Sequence, residues 1–221
     1  GWINFCEKKF PQFRKNISTC RSPQQMFGAL LKEEARMNKE DTRETIVVSI
    51  MPCTAKKDEI LRPEHFTDGV QDVDFVLTTT EVTRMIKEAG IDLSRMPDEA
   101  MDMPFGLASG AAAIFGVTGG VTEAVLRKLV NSTHVEDLEQ ISFSGVRGID
   151  GVKECHLTLG EREVHIAIVN GLKSADELLQ KIEKGEVYYD FVEVMACEGG
   201  CIAGGGQPFV IGRAKAERSE G

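Results

Sequence analysis

The sequence predicts an α/β fold, one body with two lobes, and three observations support this. Residues 45–50 form an apolar, β-branched run that is typical of a buried strand. A second apolar run, residues 74–77, leads into Thr78 and Glu81, whose spacing is that of a capping box at a helix start. Strands separated by turns, which indicate an antiparallel meander, are predicted at residues 141–146, 152–159 and 163–169.

Helices and one further strand complete the predicted order. Proline suits the first turn of a helix, so Ser22-Pro23 predicts a helix start. Ser174 and Glu177 have the spacing of a second capping box, before a helix that ends near Gly185. A last strand is predicted at residues 188–195. The predicted helices cover residues 3–13, 24–36, 79–90, 121–131 and 174–185.

Composition and charge exclude several classes of protein. The chain has 221 residues, 42% of them hydrophobic, and a formal net charge of −9. A nucleic-acid-binding protein normally carries a basic excess, so no nucleic-acid partner is expected. Six cysteines are too few for a disulfide scaffold, and no apolar run approaches the ~20 residues that cross a bilayer. The first residues lack an initiator Met and a signal-peptide pattern, and a cytoplasmic location is expected.

Cys53 lies at the end of the first predicted strand, where sites gather in open α/β sheets. A single cysteine is most often a small buried hydrophobic residue. Here Pro52 precedes the thiol, and Lys56, Lys57 and Glu59 follow in a predicted first helical turn. A thiol near a helix N-terminus and a lysine shifts toward the thiolate that binds metal. These neighbours favour a metal ligand.

Cys197 and Cys201 follow the last predicted strand, and their spacing alone is a weak metal signal. Five of the eight residues from Gly199 to Gly206 are glycine, which favours close backbone approach. Backbone N–H groups can then point at sulfur, as they do around iron–sulfur clusters. A flexible surface turn is the alternative. A 4Fe–4S cluster normally takes four thiolates, and the remaining cysteines, each more often a core thiol, are Cys6, Cys20 and Cys155.

Other kinds of site do not match the sequence. The glycine run is not followed by Lys-Ser or Lys-Thr, so it is not a phosphate-binding loop. Ser109 has the wrong offset for a nucleophile elbow. Cys155 and His156 are strand neighbours that point to opposite faces. His65, His134 and His165 have no partner spacing, and all four histidines are interpreted as surface or satisfied groups.

Two long motifs carry a resemblance to a known family. Residues 51–59, MPCTAKKDE, resemble the second signature of the FeFe (iron-only) hydrogenases, M-P-C-x-x-K-x-x-E. Residues 193–208, EVMACEGGCIAGGGQP, resemble the third, E-x-M-x-C-x-x-G-C-x-x-G-G-G-Q-P. The resemblance covers essentially all 221 residues. It implies the H-cluster domain fold, with two lobes of mainly parallel sheets flanked by helices and a short antiparallel meander.

The resemblance also implies that residues 1–221 are a partial H-cluster domain, truncated at the N-terminus. In this family the first signature, T-S-C-C-P, is followed directly by Gly-Trp, and this sequence begins with Gly1 and Trp2. The fourth ligand is therefore expected two residues before Gly1, together with a proton-donating cysteine and the glutamates of a proton relay. The first cysteine motif and any upstream ferredoxin-like domains are expected to be missing.

The resemblance assigns roles to individual residues. Cys53, Cys197 and Cys201 would bind the 4Fe–4S part of the H-cluster, and Cys201 would also bridge to a diiron subcluster that carries CO, CN and a dithiolate bridge. Lys56 would reach a cyanide ligand, because a fixed ammonium group suits an anion. Ser18 matches the relay serine. The pocket of the diiron subcluster would be lined by Pro23, Gln24, Met51, Phe115, Gly116 and Met195.

The implied activity is 2H⁺ + 2e⁻ ⇌ H₂, with electrons from ferredoxin or another low-potential carrier and with maturation proteins that insert the diiron subcluster. The chain alone is predicted to be inactive. Many family members carry Pro at Glu198, and the acidic residue predicts a slightly lowered cluster potential. The alternatives are a sensory hydrogenase with weak turnover, a Nar-like iron–sulfur assembly protein and a structural zinc protein. Thr54 and Ala55 favour hydrogenase, since Nar-like proteins typically have acidic and aromatic residues there.

Overall fold

The chain folds into two units, each with its own short β-sheets. The computed structural model describes residues 1–38, 44–106, 110–130, 151–159 and 162–209. We call Lys15–Asp98 with Gly205–Phe209 the small unit. The large unit comprises Gly1–Arg14 and the described residues of Glu99–Gly204. The two units agree with the two lobes that were expected.

The small unit contains a two-stranded parallel sheet and a short antiparallel hairpin. Its core is formed by Val47, Ile60, Val73 and Val76. Its elements are α2 (Pro23–Met37), β1 (Val48–Met51), α3 (Ala55–Glu59), a 3₁₀ turn (Pro63–His65), β2 (Phe66–Thr67), β3 (Val70–Gln71), β4 (Phe75–Thr78), α4 (Thr79–Glu88) and a 3₁₀ turn (Leu93–Arg95).

Strands β1 and β4 pair in parallel, with Met51 opposite Thr78 at their carboxyl ends. The segment with Cys53 and the start of helix α4 therefore leave the sheet at the same edge. This edge is where ligands bind in open parallel sheets.

The large unit contains a three-stranded sheet with strand order β5–β6–β7. Its elements are α1 (Trp2–Lys9), α5 (Gly110–Ile114), α6 (Gly120–Val130), β5 (Val152–Leu159), β6 (Arg162–Asn170), α7 (Leu172–Glu183), β7 (Phe191–Met195) and a 3₁₀ turn (Cys201–Ala203). A 3₁₀ helix, Pro11–Asn16, follows α1.

Both faces of this sheet are covered. Leu126 of α6 packs with Cys155, Ile166 and Ile168 in one buried cluster. On the other face, Ala175 and Leu178 of α7 pack with Ala167 and Val169, and Trp2 adds to the edge of this cluster. Strands β6 and β7 are parallel, with Asn170 opposite Met195 at their carboxyl ends. The loop with Cys197 and Cys201 therefore begins beside Asn170.

Several predicted elements are confirmed. Thr78 and Glu81 form a capping box with both hydrogen bonds present. Helix α2 begins at Pro23 with Ser22 as its N-cap. The predicted strands at residues 152–159 and 163–169 pair antiparallel as β5 and β6. The strand predicted at residues 141–146 lies outside the described residues.

Other predicted elements are wrong in position. The Ser174–Glu177 capping box does not exist, because α7 begins at Leu172 with Gly171 as its N-cap. The Gly171 N–H donates to the Met195 carbonyl at 2.8 Å, so the chain turns directly after β6. The first helix ends at Lys9, and the strands predicted at residues 45–50 and 188–195 begin three residues later than expected, as β1 and β7. Among the described residues, no helix is long and apolar enough to span a membrane.

Candidate metal centre

Cys53 lies between the end of β1 and the first turn of α3, as its neighbours predict. The thiol is half-buried. Gly206 packs directly against this segment, because its N–H donates to the Pro52 carbonyl at 3.0 Å and its carbonyl accepts from the Thr80 N–H at 3.0 Å. A Cβ at Gly206 would lie 2.7 Å from the Cys53 nitrogen. Only glycine therefore fits here without displacing the backbone at Cys53.

Lys56 is held in place one helical turn from the thiol. Its ammonium contacts the Glu59 carboxylate at 2.6 Å, and both side chains are largely buried, at 21% and 22% exposure. The Ser22 hydroxyl, at the N-cap of α2, donates to the other oxygen of Glu59. Lys57 instead contacts Glu81 at 2.8 Å. The two adjacent lysines thus have different partners, and Glu59 positions only Lys56.

Gln24 lies in the first turn of α2 and is tied to β1. Its side-chain oxygen accepts a hydrogen bond from the Ser49 hydroxyl at 2.8 Å. Its Nε2 is buried and has no hydrogen-bond partner among the described residues. A buried N–H donor without an acceptor is costly, so this amide fits a bound group that supplies an acceptor. Pro23 beside it is exposed, and Ser18 is exposed with its hydroxyl accepting from the Cys20 N–H at 3.2 Å.

In the large unit, the loop after β7 packs closely on the segment before α6. The Ile202 N–H donates to the Gly116 carbonyl at 3.1 Å. Gly200 has a φ of +84°, and a Cβ there would lie 2.6 Å from the Gly116 carbonyl oxygen. Gly200 is therefore required both by its backbone conformation and by the close approach. This contact brings Phe115 and Gly116 together with the loop that carries Cys197 and Cys201.

Two buried side chains from the sheet fix this loop and the start of α6. The Asn170 side-chain oxygen accepts from the Gly199 N–H at 3.0 Å and from the Thr118 hydroxyl at 3.2 Å. Glu193 accepts from the Gly119 and Thr122 N–H groups, each at 2.7 Å. A carboxylate at a helix start stabilises the helix, because it accepts unpaired backbone N–H groups and lies at the positive end of the helix dipole. Asn170 of β6 thus anchors the cysteine loop, and Glu193 of β7 anchors the start of α6.

The structure divides the predicted site residues between the two units. The small unit holds Ser18, Pro23, Gln24, Met51, Cys53 and Lys56. The large unit holds Phe115, Gly116, Met195, Cys197 and Cys201. All six cysteines carry thiols rather than disulfides.

Each unit offers groups whose chemistry suits an iron–sulfur group. In the small unit these are the Cys53 thiol and the buried Gln24 amide donor, and in the large unit they are the Cys197 and Cys201 thiols with the glycine backbone between them.

The other three cysteines are either buried or exposed on the surface. Cys6 is fully buried, and its thiol lies 3.7 Å from the Phe10 carbonyl. Burial raises the pKa of the Cys6 thiol, which disfavours the thiolate that metal binding needs. Cys155 belongs to the core cluster beside α6. Cys20 is exposed. The structure therefore agrees with a core role for Cys6 and Cys155.

Asn170 and the Ser22–Glu59 pair were missed by the sequence analysis. Asn170 ends the buried apolar run of residues 166–169 and precedes Gly171, so a polar residue at the end of this run was the available signal. Glu59 is the last residue of the second motif, but its role in holding Lys56 depends on a contact with another helix.

Comparison with known proteins shows the family. The family described as iron only hydrogenase large subunit, C-terminal domain, matches residues 1–205. The chain therefore belongs to the iron-only (FeFe) hydrogenase large-subunit family. It is similar to an apo FeFe-hydrogenase variant of HydA1 from Chlamydomonas reinhardtii, with a TM-score of 0.81, 33% identity, and coverage of 100% of this chain and 63% of that one.

Curated relatives include two kinds of protein. The NADP-reducing hydrogenase subunit HndD of Solidesulfovibrio fructosivorans is 47% identical over 95% of this chain and 36% of its own length. The periplasmic Fe hydrogenase large subunit of Nitratidesulfovibrio vulgaris is 44% identical over 96% of this chain and 51% of its own length. Cytosolic iron-sulfur assembly component 3 of Pongo abelii is 36% identical over 94% of this chain and 45% of its own length. The chain thus spans about half, or less, of these relatives.

Proposed function

We propose that this chain forms the cluster-binding part of a hydrogenase that catalyses 2H⁺ + 2e⁻ ⇌ H₂. In this proposal Cys53, Cys197 and Cys201 are ligands of a 4Fe–4S cluster, and Cys201 also bridges to a diiron subcluster with CO, CN and a dithiolate bridge. When bound, this H-cluster supplies the electron storage and the hydrogen chemistry. The protein residues position the group, exclude water and deliver charge.

The observation that carries the proposal is the fixed ammonium of Lys56, three residues after Cys53. Glu59 holds Lys56 at 2.6 Å, and Ser22 holds Glu59 from a second helix. A structural iron–sulfur or zinc site has no need of a lysine fixed in this way, whereas an anionic cyanide ligand does. The buried Nε2 of Gln24 supplies a second donor without a protein partner among the described residues.

Other residues are proposed to shape the diiron pocket. Met195 is buried, and Met51, Phe115 and Gly116 are half-buried. Apolar side chains of this kind exclude water and lower the local dielectric constant, which tunes a metal group. Pro23 completes the lining, and Ser18 is proposed as a proton-relay hydroxyl.

Partners and location are proposed from the family. Electrons would come from ferredoxin or another low-potential carrier, and maturation proteins would insert the diiron subcluster. A cytoplasmic location stays a prediction, since one relative is named as periplasmic.

The test compares Lys56→Met with Lys57→Met in the full-length protein that contains this chain. Each variant is produced anaerobically with maturation proteins, and H₂ evolution from reduced methyl viologen is measured by gas chromatography. We expect the rate of H₂ evolution by Lys56→Met to fall about 100-fold or more, as when one preorganised charge partner is removed. Lys57 contacts Glu81 instead, so Lys57→Met should stay within about twofold of the parent.

Equal activity of the Lys56→Met variant and the parent would contradict the assigned role of Lys56. A parent protein that binds iron and sulfide but evolves no H₂ would support the assembly function of the Pongo abelii relative instead. Slow turnover with a complete H-cluster would support the sensory alternative.

A further inference from the structure

The hairpin of β5 and β6 places two histidines opposite each other. His156 and His165 are direct partners in the antiparallel register. Their Nδ1 atoms lie 2.9 Å apart, and their rings are nearly perpendicular, with centroids 4.6 Å apart. Directly opposed residues of an antiparallel pair share one face of the sheet, with Cβ atoms about 5 Å apart. Cys155, the strand neighbour of His156, is buried on the other face, as the sequence predicts.

A carboxylate lies beside the two rings. Glu163 is two residues before His165 on β6, so its side chain is on the same face. One ligand atom from each of the three residues lies within 4.8 Å of the others. His156 and Glu163 are exposed and His165 is half-buried, so an ion can reach all three from solvent.

We propose that His156, Glu163 and His165 bind one divalent transition-metal ion of the Zn²⁺ type, with water as the fourth ligand. Imidazole nitrogen and carboxylate oxygen are common Zn²⁺ ligands, at about 2.0–2.2 Å in tetrahedral geometry. That geometry separates two ligand nitrogens by about 3.3 Å. The Nδ1 atoms, at 2.9 Å, therefore need to separate by only a few tenths of an ångström.

The surroundings favour a cation. Glu154 lies on the same face of β5, two residues before His156. The Asp190 carboxylate accepts the His165 backbone N–H at 3.0 Å, which brings another negative charge to this end of the sheet. Without an ion, one ring donates an N–H to the other, so the pair is satisfied and stable in the metal-free form.

This site is separate from the cysteine motifs. It includes none of the residues that we propose to hold the cluster, so it stands whether or not the hydrogenase proposal holds. A metal here would join β5 to β6 near the end of the hairpin and would stabilise the large unit when bound.

The test is a Zn²⁺ titration of the 221-residue chain, followed by long-range ¹H–¹⁵N correlation spectra of the histidine rings. This readout is specific to each ring, so Zn²⁺ bound by cysteine thiols does not mimic it. Comparison with the spectra of His156→Gln and His165→Gln assigns the signals. We expect the signals of both rings to shift together and to follow a single saturable binding curve.

Glu163→Gln tests the third ligand, and Glu186→Gln is its control. Glu163 is exposed, so the variant should fold, and the Zn²⁺ affinity should fall at least about tenfold because even partners outside the ligand shell contribute 10- to 100-fold. Glu186 is an exposed acid of the same unit outside the cluster, and its variant should bind like the parent. Rings that do not shift below millimolar Zn²⁺, or an unchanged affinity in Glu163→Gln, would overturn the proposal.

Discussion

Gly206 offers the sharpest test of how the small unit holds Cys53. A Cβ at this position would lie 2.7 Å from the Cys53 nitrogen and 2.8 Å from the Pro52 carbonyl carbon. Real Cβ atoms essentially never approach another atom closer than 3.0 Å, so the backbone at Cys53 must move by at least a few tenths of an ångström. Both neighbours are backbone atoms and have no rotamer that avoids the clash. We therefore expect Gly206→Ala to lower the free energy of unfolding by about 1–3 kcal/mol, as overpacking does.

Gly205→Ala is the matched control. Gly205 is adjacent to Gly206, but a Cβ there meets nothing within 4 Å. Its stability should be unchanged or raised by up to about 1 kcal/mol, because alanine restricts the unfolded chain. Urea unfolding followed by circular dichroism measures both variants, and iron bound per chain after reconstitution reports on Cys53. Equal stability of the two variants would refute the close contact, and undiminished iron binding by Gly206→Ala would refute the link between this contact and the thiol.

Three further predictions concern buried or paired polar groups. Asn170→Ala leaves two donors without their acceptor, so we expect the free energy of unfolding, measured with urea, to fall by about 2–4 kcal/mol. A fall of less than about 1 kcal/mol would contradict this role of Asn170. Glu193→Gln keeps the shape but loses the charge, and should lower stability by about 1–2 kcal/mol, whereas the exposed Glu186→Gln should not. Lys57 and Thr78 lower the pKa of Glu81 to about 2 from its ordinary 4.5, so its contribution is present above pH 4.5 and is lost as the pH falls toward 2. The urea midpoint of unfolding, measured against pH, should therefore fall less steeply between pH 4.5 and 2 in Glu81→Gln than in the parent. Identical pH profiles of the two proteins would contradict this role of Glu81.

The sequence predicted elements whose signals are local. Thr78 and Glu81 specify a helix start by themselves, because both partners lie within one turn. Ser174 and Glu177 have the same spacing, yet the helix begins earlier. The decisive contact there is the hydrogen bond from Gly171 to the Met195 carbonyl, which joins distant parts of the chain. Spacing alone does not distinguish these two cases.

In the candidate site, too, local signals were predicted and contacts between distant parts of the chain were not. The cysteines at strand ends were identified from neighbouring prolines, lysines and glycines. The partnership of His156 with His165 was not identified, and the expectation that His165 has no partner spacing was wrong, because nine positions separate the two residues and only the strand register aligns them. The interpretation of both histidines as surface or satisfied groups agrees with the hydrogen bond between them. Asn170 was missed for a similar reason, since its role depends on a loop that begins on another strand.

The support of the cysteine loop by Asn170 has a practical consequence for protein engineering. The shape of the loop is set by side chains of the sheet, while Glu198 within the loop is exposed. Its Cγ lies near Gly171, where an added Cβ would approach it to 3.2 Å. Position 198 is therefore open to exchange while the loop keeps its anchors. A series of acidic, neutral and basic residues there would vary the electric field at the neighbouring thiols. It would thus provide a graded control of the redox potential of an iron–sulfur cluster bound by these thiols, within one unchanged scaffold.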